Sequence, residues 1–299
     1  MVDTLVTVII VNYNAGEMLR LCIEHLLKST IPVKIIVSDN ASTDNSLNLL
    51  EQSNLLKTNL IIHRNHTNIG FARANNAVYP QINTPFVLYL NPDCFIGKDS
   101  IQHLIHTMYE YPEAGMVGCL VTNINGTEQI GCRGLTPTPR RVINQLLHLN
   151  KVFSDNPNFQ GYLTSDKELP SKPIEVELIS GSCMFVRKKA INEVGLLDDS
   201  YFLYCEDYDW FYRFKQSKWK ILFTPKTKVK HIKSYSTKQM PFKVLVYKAK
   251  GMWKYYNKFF QNNFSPCTTL VIKAGIIGRL VILSCIMIIK KIIHFRPIK

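Results

Sequence analysis

The chain has 299 residues, of which 46% are hydrophobic, and this length and composition suit one large α/β domain with an appendage. The eight cysteines form no Cys-x-x-Cys pair and no cysteine–histidine spacing typical of zinc, so we expect reduced, buried thiols and no structural zinc site. The formal net charge of +14 arises at one end, since twenty lysines and arginines and no carboxylate follow Asp209, which favours an anionic partner such as lipid, nucleic acid or a phosphorylated ligand.

Predicted strands and helices alternate over the first 121 residues. The first strand is a β-branched run that is too short for a secretory signal peptide and lacks the basic residues that would precede one. The predicted strands cover residues 5–11, 33–38, 60–63, 86–90 and 116–121, and the predicted helices cover 17–28, 43–52, 70–78 and 100–109. This alternation predicts right-handed β-α-β units and a parallel sheet.

Regular patterns fade between residues 126 and 175. Proline pairs at 136–141 and 169–173 indicate irregular chain, and we interpret the segment as a functional or mobile loop. Regular patterns then return as a strand at 174–187, a helix at 206–215, two short strands at 220–223 and 228–231, and a helix at 241–261.

Polar side chains follow four of the predicted strands, at the point where each strand ends. The four segments are 12–14, 39–44, 65–70 and 91–93, and each contains asparagine or aspartate. One such segment alone is explained by a helix cap or a turn. Because ligands of open parallel sheets bind outside the carboxyl ends of the strands, four converging segments predict a polar binding crevice.

Four motifs in sequence order carry a family resemblance. They are Val-Ile-Ile-Val-Asn-Tyr-Asn from residue 8, Ser-Asp-Asn-Ala-Ser-Thr-Asp-Asn-Ser from 38, Asn-Ile-Gly-Phe-Ala-Arg-Ala-Asn-Asn from 68 and Leu-Asn-Pro-Asp from 90. From about Val6 to His231 the chain resembles the inverting glycosyltransferases of family 2, and among them the rhamnosyltransferase-like branch. The resemblance implies an α/β GT-A fold, with a Rossmann-like, mostly parallel sheet. It also implies a catalytic domain over residues 1–235, in which 1–121 bind the nucleotide sugar and 122–235 hold acceptor and base. The charge and the apolar pattern beyond it predict a basic helical tail over 236–299.

The resemblance assigns the first three motifs to the nucleotide-sugar donor. Asp39 would accept a hydrogen bond from the pyrimidine base, and Asn12 and Tyr13 would flank that base. A carboxylate suits the N3–H donor of uracil or thymine, and the third motif would border the donor. The donor-binding residues implied are Asn12, Tyr13, Asn14, Asp39, Asn40, Asn68, Gly70 and Phe71, with Asn91 and Asp93 from the fourth motif.

The fourth motif resembles the Asp-x-Asp sequence that binds a divalent metal in this family. Asp93 falls on its second aspartate, whereas Asn91 replaces the first with a weaker amide ligand. His231 matches a histidine that some GT-A enzymes use on the metal or the diphosphate, although a lone histidine is more often structural. The resemblance therefore implies Mn²⁺ or Mg²⁺ at Asp93 and His231. Lys230, Lys233 and Ser234 are further candidates for contact with the diphosphate.

Three carboxylates lie within four positions, beside bulky aromatic residues, at the start of the predicted helix 206–215. Mutual repulsion and the apolar neighbours raise the pKa of such groups and suit a general base, although acids also favour helix starts because of the helix dipole. The resemblance makes Asp207 the base, with Glu206 and Asp209 orienting it or holding substrate groups. It also places residues 181–185 on an acceptor-side strand, where small residues let the sugar approach the backbone.

The last segment, 270–293, is strongly apolar but contains Lys273 and Arg279. Its first 20 residues would form a helix roughly 30 Å long, which is about the thickness of a bilayer core. The cations fall on one side, which favours a helix lying in the interface of an anionic membrane. A membrane span and a packed or oligomerising helix remain alternatives. We expect a peripheral or monotopic protein on the cytoplasmic side of the inner membrane.

The resemblance implies transfer of a sugar, L-rhamnose from dTDP-L-rhamnose, with inversion onto a lipid-linked or cell-surface glycan. A non-catalytic protein of the same fold, which binds a nucleotide sugar or a membrane partner, is the alternative that Asn91 suggests. Nucleic acid is a third possible partner for the basic end. We do not expect it, because nucleic acid does not explain the apolar segment that follows.

Overall fold

A computed structural model describes residues 4–53, 55, 59–165, 167–232 and 241–294, with side chains described as far as residue 290. Lys233 and Ser234 lie outside the described residues. The strands are Val6–Asn12 (β1), Val33–Asp39 (β2), Leu60–Arg64 (β3), Phe86–Leu90 (β4), Cys94–Ile96 (β5), Ala114–Thr122 (β6), Arg133–Gly134 (β7), Ile174–Val176 (β8), Leu178–Ile179 (β9), Cys183–Arg187 (β10) and Lys220–His231 (β11). The helices are Glu17–Leu27 (α1), Ser46–Glu51 (α2), Phe71–Val78 (α3), Ser100–Glu110 (α4), Pro139–Leu146 (α5), Leu149–Val152 (α6), Lys188–Val194 (α7), Glu206–Lys215 (α8), Pro241–Phe259 (α9) and Pro266–His294 (α10).

Among the described residues, nine strands form one sheet in the order β3-β2-β1-β4-β10-β6-β11-β5, with β8 also paired to β11. The first four strands are parallel, as the sequence predicts, and so are β6 and β11. Strand β10 runs antiparallel to both β4 and β6. The sheet is therefore mixed, and the half formed by β1 to β4 is wholly parallel.

Two hydrophobic clusters lie on opposite faces of the sheet. Because successive side chains of a strand point to opposite faces, Val8 and Ile10 belong to one cluster and Ile9 to the other. Helices α1 and α4 cover the first face, and α3, α7 and α8 cover the second. All seven residues of β1 are buried, which explains its continuous β-branched sequence.

The predicted strand 174–187 is wrong as a single element, because it divides into β8, β9 and β10. Strand β8 pairs with β11 whereas β9 pairs with β7, and a tight turn at residues 180–182, where the hydroxyl groups of Ser180 and Ser182 are 2.8 Å apart, separates β9 from β10. The predicted strands 220–223 and 228–231 are instead one strand, β11, whose register with β6 shifts between Thr224 and Lys228. Pro225 lies in this shift, and proline has no N–H for a ladder hydrogen bond.

The insert between residues 126 and 175 is more regular than its proline content predicts. Pro139 is the first residue of α5, and the hydroxyl of Thr138 caps that helix by accepting a hydrogen bond from the Arg141 N–H. Proline is compatible with the first helical position, because its missing N–H has no partner there. The prediction that residues 136–141 are irregular is therefore wrong for 139–141.

The last two helices differ in their surroundings. Helix α9 packs against α8 through an aromatic cluster that includes Tyr212, Tyr255 and Phe260. Helix α10 touches α9 near its start, where the hydroxyls of Tyr256 and Thr269 are 2.8 Å apart. Among the described residues, one helix is long and apolar enough to cross a membrane; it is the part of α10 from 266 to 290, and its most apolar stretch is wholly unburied.

The exposure of the cysteines also differs between the α/β domain and α10. Six of the eight are buried in the α/β domain, and the two exposed ones, Cys267 and Cys285, both lie on α10. The expectation of buried thiols is thus confirmed for the domain and wrong for α10.

Candidate active site

The carboxyl ends of β1 and β2 lie side by side, because the two strands are parallel and pair through Asn12 and Asp39. The Asn12 side-chain amide donates to Asp39 Oδ1 at 2.7 Å. Ser42 donates to both oxygens of Asp39, from its hydroxyl at 2.7 Å and from its backbone N–H at 3.1 Å. Asp39 Oδ2 therefore keeps capacity for a further donor, such as the N–H of a base.

Asn14 and Asn40 hold the loops that form this edge. Asn14 has a φ of 52°, and its side-chain oxygen accepts a hydrogen bond from the Thr43 N–H at 2.8 Å. Asn40 donates to the Gly70 carbonyl oxygen at 3.1 Å. The structure thus gives these two asparagines partners in the protein, while Tyr13 lies half-buried at the same edge.

The loop before α3 contacts the segment before α8 directly. The Asn68 side chain accepts a hydrogen bond from the Gly70 N–H at 3.0 Å, and the Phe71 N–H donates to the Phe202 carbonyl oxygen at 2.8 Å. Gly70 has a φ of +89°, and a Cβ there would lie 2.5 Å from the same oxygen of Phe202. Only glycine satisfies both requirements at position 70.

Asp93 and His231 come together because β5, which begins one residue after Asp93, pairs with the end of β11. Asp93 Oδ1 lies 3.2 Å from His231 Nε2. Gln129 donates from its amide nitrogen to the His231 carbonyl oxygen at 2.8 Å, so its amide oxygen faces His231 Nδ1 at 3.0 Å. Since an amide oxygen only accepts, Nδ1 carries a hydrogen, and Nε2 of the neutral ring presents a lone pair to Asp93.

Two hydrogen-bond acceptors facing each other at this distance need a positive charge between them, which is a proton or a bound cation. A carboxylate oxygen and an imidazole nitrogen fit Mn²⁺ or Mg²⁺. Cys94 belongs to the same group, whose potential ligand atoms all lie within 4.8 Å of one another. Its thiol, however, donates to the Ser182 carbonyl oxygen, and burial raises the pKa of that thiol well above its ordinary value.

Glu206 and Asp207 begin α8 beside the turn at residues 180–182. A Cβ at Gly181 would lie 2.6 Å from Asp207 Oδ2, so the carboxylate packs on the bare backbone of the turn. The same turn accepts a hydrogen bond from the Asn91 N–H, through Ser182, at 2.9 Å. The turn therefore contacts both the 91–93 motif and the acidic motif, which are more than a hundred residues apart in sequence.

Burial changes the protonation of the acidic pair. Glu206 is 5% exposed, and its Oε2 has no hydrogen-bond partner among the described residues. Burial, together with the neighbouring charge of Asp207, raises the pKa of Glu206 to about 8. Burial also raises the pKa of the half-buried Asp207 to about 6. The direction of both pKa shifts is the one that the sequence predicts.

Asp209 is placed differently from its two neighbours. It is fully buried, and its oxygens accept from Arg213 at 2.7 Å and from Lys258 at 2.6 Å. Asp209 is therefore paired within the protein and is not accessible to a substrate.

Sequence reasoning missed Gln129 and Lys258, since each lies far along the chain from its partner and belongs to no motif.

The family model for glycosyl transferase family 2 matches residues 7–195, which is well over half of the chain. The chain belongs to glycosyl transferase family 2. As a member of this family, the chain is a nucleotide-sugar glycosyltransferase. The matched residues end before α8, so the acidic motif, His231 and the last two helices lie beyond them.

Two relatives carry named activities. The family 2 chain is 28% identical to an N-acetylglucosaminyl-diphospho-decaprenol L-rhamnosyltransferase from Mycobacterium tuberculosis, over 78% of each chain. It is 26% identical to a low-salt glycan biosynthesis hexosyltransferase, Agl10, from Haloferax volcanii, over 49% of this chain and 43% of that protein.

Two solved structures share the fold at low sequence identity. GalNAc-T7, solved with UDP, GalNAc and Mn²⁺, superposes with a TM-score of 0.58 at 17% identity, and the match covers 84% of this chain and about half, 49%, of that one. The mannosyltransferase PcManGT from Pyrobaculum calidifontis, solved with GDP-Man and Mn²⁺, superposes with a TM-score of 0.58 at 14% identity, over 91% of this chain and 69% of that one. These likenesses establish the GT-A fold of this family 2 chain.

Proposed function

We propose that this glycosyltransferase moves L-rhamnose from dTDP-L-rhamnose, with inversion, onto a hydroxyl of a saccharide carried by a polyprenyl diphosphate. The observation that carries the proposal is the match over 78% of both chains to a rhamnosyltransferase whose name specifies such an acceptor. The turn at residues 180–182 supports it, since that turn contacts both the 91–93 motif and Asp207.

In this proposal Asp207 is the general base. Its carboxylate takes the proton of the acceptor hydroxyl as the acceptor oxygen attacks the anomeric carbon, on the face opposite the diphosphate. The bond from the anomeric carbon to the diphosphate breaks, nucleoside diphosphate leaves, and the anomeric configuration inverts. A pKa of about 6 keeps Asp207 mostly ionised at neutral pH and still basic enough to accept a proton.

In the proposed site, the donor binds at the edge formed by β1, β2 and β4. Asp39 accepts the N3–H of thymine through Oδ2, and Asn12 fixes that carboxylate from the side. Asp93 and His231 would hold Mn²⁺ or Mg²⁺, which would neutralise the charge that grows on the leaving diphosphate. Gln129 keeps the hydrogen of His231 on Nδ1, so that Nε2 stays free to bind the cation.

The reaction with dTDP-L-rhamnose is the direct test of the proposal. We would incubate the purified chain with Mn²⁺, a short-chain prenyl diphosphate carrying N-acetylglucosamine, and one of three donors: dTDP-L-rhamnose, dTDP-glucose or UDP-N-acetylglucosamine. We expect transfer of rhamnose alone, with inverted anomeric configuration by NMR. Transfer of another sugar would overturn the donor assignment, and retained configuration would overturn the role of Asp207.

We place α10 on an anionic membrane at the cytoplasmic face, where it brings the site to lipid-linked acceptor. Its exposed apolar surface and the cations Lys273 and Arg279 support this placement, since each cation near an anionic surface contributes about 1 kcal/mol. A chain that ends at Phe264 should lose turnover on the lipid-linked acceptor far more than on a short water-soluble one. Equal sedimentation of both forms with anionic vesicles would overturn α10 as the anchor.

A further inference from the structure

Helix α9 lies outside the residues matched by the family model, and also outside the predicted catalytic domain 1–235. It nevertheless packs along residues 198–205, which we call the base loop because it leads directly into Glu206 and Asp207. Near the start of the helix, Tyr247 stacks on Phe202 with ring centroids 4.6 Å apart. Further along, Gly251 and Lys258 contact both ends of the loop.

Lys258 joins the beginning of the base loop to α8. Its ammonium donates to Asp198 Oδ2 at 2.7 Å and to Asp209 Oδ2 at 2.6 Å. Asp209 is fully buried, and its other oxygen accepts from Arg213. One lysine of α9 therefore ties together the two carboxylates that bracket Glu206 and Asp207.

Gly251 sets the distance between α9 and the end of the base loop. A Cβ at this position would lie 2.6 Å from the Tyr204 carbonyl oxygen and 3.2 Å from Cys205 Cβ. Tyr204 and Cys205 have φ values of 73° and 70°, in the left-handed region that residues other than glycine seldom adopt. Such backbone persists only where its surroundings hold it, and here α9 supplies one side of those surroundings.

The opposite side of the base loop is held by the donor-binding half. The Phe71 N–H donates to the Phe202 carbonyl oxygen, and Arg73 donates to the Asp199 carbonyl oxygen at 3.0 Å. The loop is therefore clamped between the loop that borders the donor and α9. Its position decides where the carboxylate of Asp207 stands relative to the donor.

We propose that α9 is a positioning element of the transfer reaction, in which Gly251 and Lys258 hold the base loop so that Asp207 faces the acceptor hydroxyl. The inference rests on the assignment of Asp207 as base in the proposed function. Gly251 and Lys258 are positioning residues, since they act through the loop and touch no substrate. Displacement of a catalytic group by about 1 Å can cost about 10²-fold in rate, and this sets the scale of the expected effects.

The variant Gly251→Ala tests the position of the base loop without weakening α9. Alanine favours a helix more than glycine does, so this change should not weaken α9 itself, whereas its methyl group must push the base loop away. We expect kcat on a water-soluble acceptor to fall about 10- to 100-fold, with the Kd of dTDP-L-rhamnose unchanged. Gly275→Ala is the control, because a Cβ there meets nothing within 4 Å, and it should keep the wild-type kcat.

Lys258→Met tests the other contact. We expect a loss of kcat of similar size without a change in donor Kd, and we expect Lys258→Arg to regain most of it, since a guanidinium can reach both carboxylates. Lys250→Met, which changes an exposed lysine of the same helix, is the control. A wild-type kcat in both Gly251→Ala and Lys258→Met, or losses of kcat that only follow a loss of donor binding, would overturn the inference.

Hydrogen exchange distinguishes this inference from the function on which it rests. Exchange of the backbone amides of residues 198–205 should be faster in Lys258→Met than in Lys250→Met, whether or not any sugar is transferred. Equal exchange would overturn the positioning role. If exchange is faster in Lys258→Met but the wild type transfers no rhamnose, the proposed function is overturned. The contact of α9 with the base loop still stands in that case.

Discussion

The two halves of the site are held together over different distances along the chain. In the donor half, the pairs Asn12–Asp39 and Asn40–Gly70 are 27 and 30 positions apart, the length of one β-α-β unit. In the base half, Lys258 lies 49 and 60 positions from its two aspartates, and 102 positions separate Gln129 from His231. The proposed donor contacts thus depend on local units, whereas the proposed base and cation site depend on the packing of distant elements.

This comparison predicts separate effects on donor affinity and turnover. Changes at the ends of β1 and β2 should weaken donor binding, changes near α8 should mainly lower kcat, and changes at Asp93 or at the end of β11 should remove the dependence on metal.

Asp207→Asn should lower kcat by about 10²–10⁴-fold, because the amide cannot accept the acceptor proton. The Kd of dTDP-L-rhamnose, measured by calorimetry, should stay within about twofold, since Asp207 is not assigned to the donor. Asp155→Asn, at an exposed position in the insert, is the matched control. Wild-type turnover in Asp207→Asn would show that another group is the base.

Asp93→Ala should abolish the effect of Mn²⁺ on the affinity for dTDP. Gln129→Leu should weaken that effect by about 10- to 100-fold, since it releases the hydrogen of His231 that the amide holds on Nδ1. Asn91→Asp should strengthen it by adding a carboxylate two residues from Asp93. Calorimetry of dTDP with and without Mn²⁺ measures all three, and equal affinity in the wild type under both conditions would contradict the cation site.

The pH dependence of kcat/KM should show an acid limb with a midpoint near 6. Burial raises the pKa of Asp207 to about 6, and the base must be ionised to act, so activity falls as pH decreases through that value. An exposed aspartate would place the midpoint near about 4. Initial rates between pH 4.5 and 8 measure it, and a midpoint at the lower value would mean that the site is open to water.

The smallest expected effect is on stability. Because the pKa of Glu206 in the folded chain is about 8, far above the value of about 4.3 for an unfolded glutamate, its contribution to folding is full below about pH 4, declines as pH rises above that value and is lost once pH passes 8. The Glu206→Gln variant has no carboxyl group at this position to titrate. Its Tm should therefore fall less between pH 6 and pH 9 than the Tm of the wild type does, and the two falls should differ by a few degrees. Glu113→Gln, at an exposed position, should behave as the wild type does.

The same difference in distance decides what could be predicted from the sequence. The parallel strands, the polar residues at their ends and the acidic helix start are local patterns, and the structure contains all of them. The antiparallel insertion of β10 between β4 and β6 is not a local pattern, because nothing in the sequence of residues 183–187 specifies its neighbours. Lys258 is one of twenty basic residues after Asp209, and its contacts with Asp198 and the buried Asp209 cannot be read from the sequence.

The placement of the cysteines offers a way to measure the depth of α10. Burial keeps the six thiols of the domain away from reagents, so a maleimide fluorophore should label only Cys267 and Cys285 in the native, unaltered protein. These two positions are about 27 Å apart along a helix, which is close to the thickness of the hydrocarbon core. A helix lying in the interface would give both fluorophores equal access to a quencher in the aqueous phase, whereas a spanning helix would shield one from it. The exchange of a single cysteine for serine then reports on each end separately.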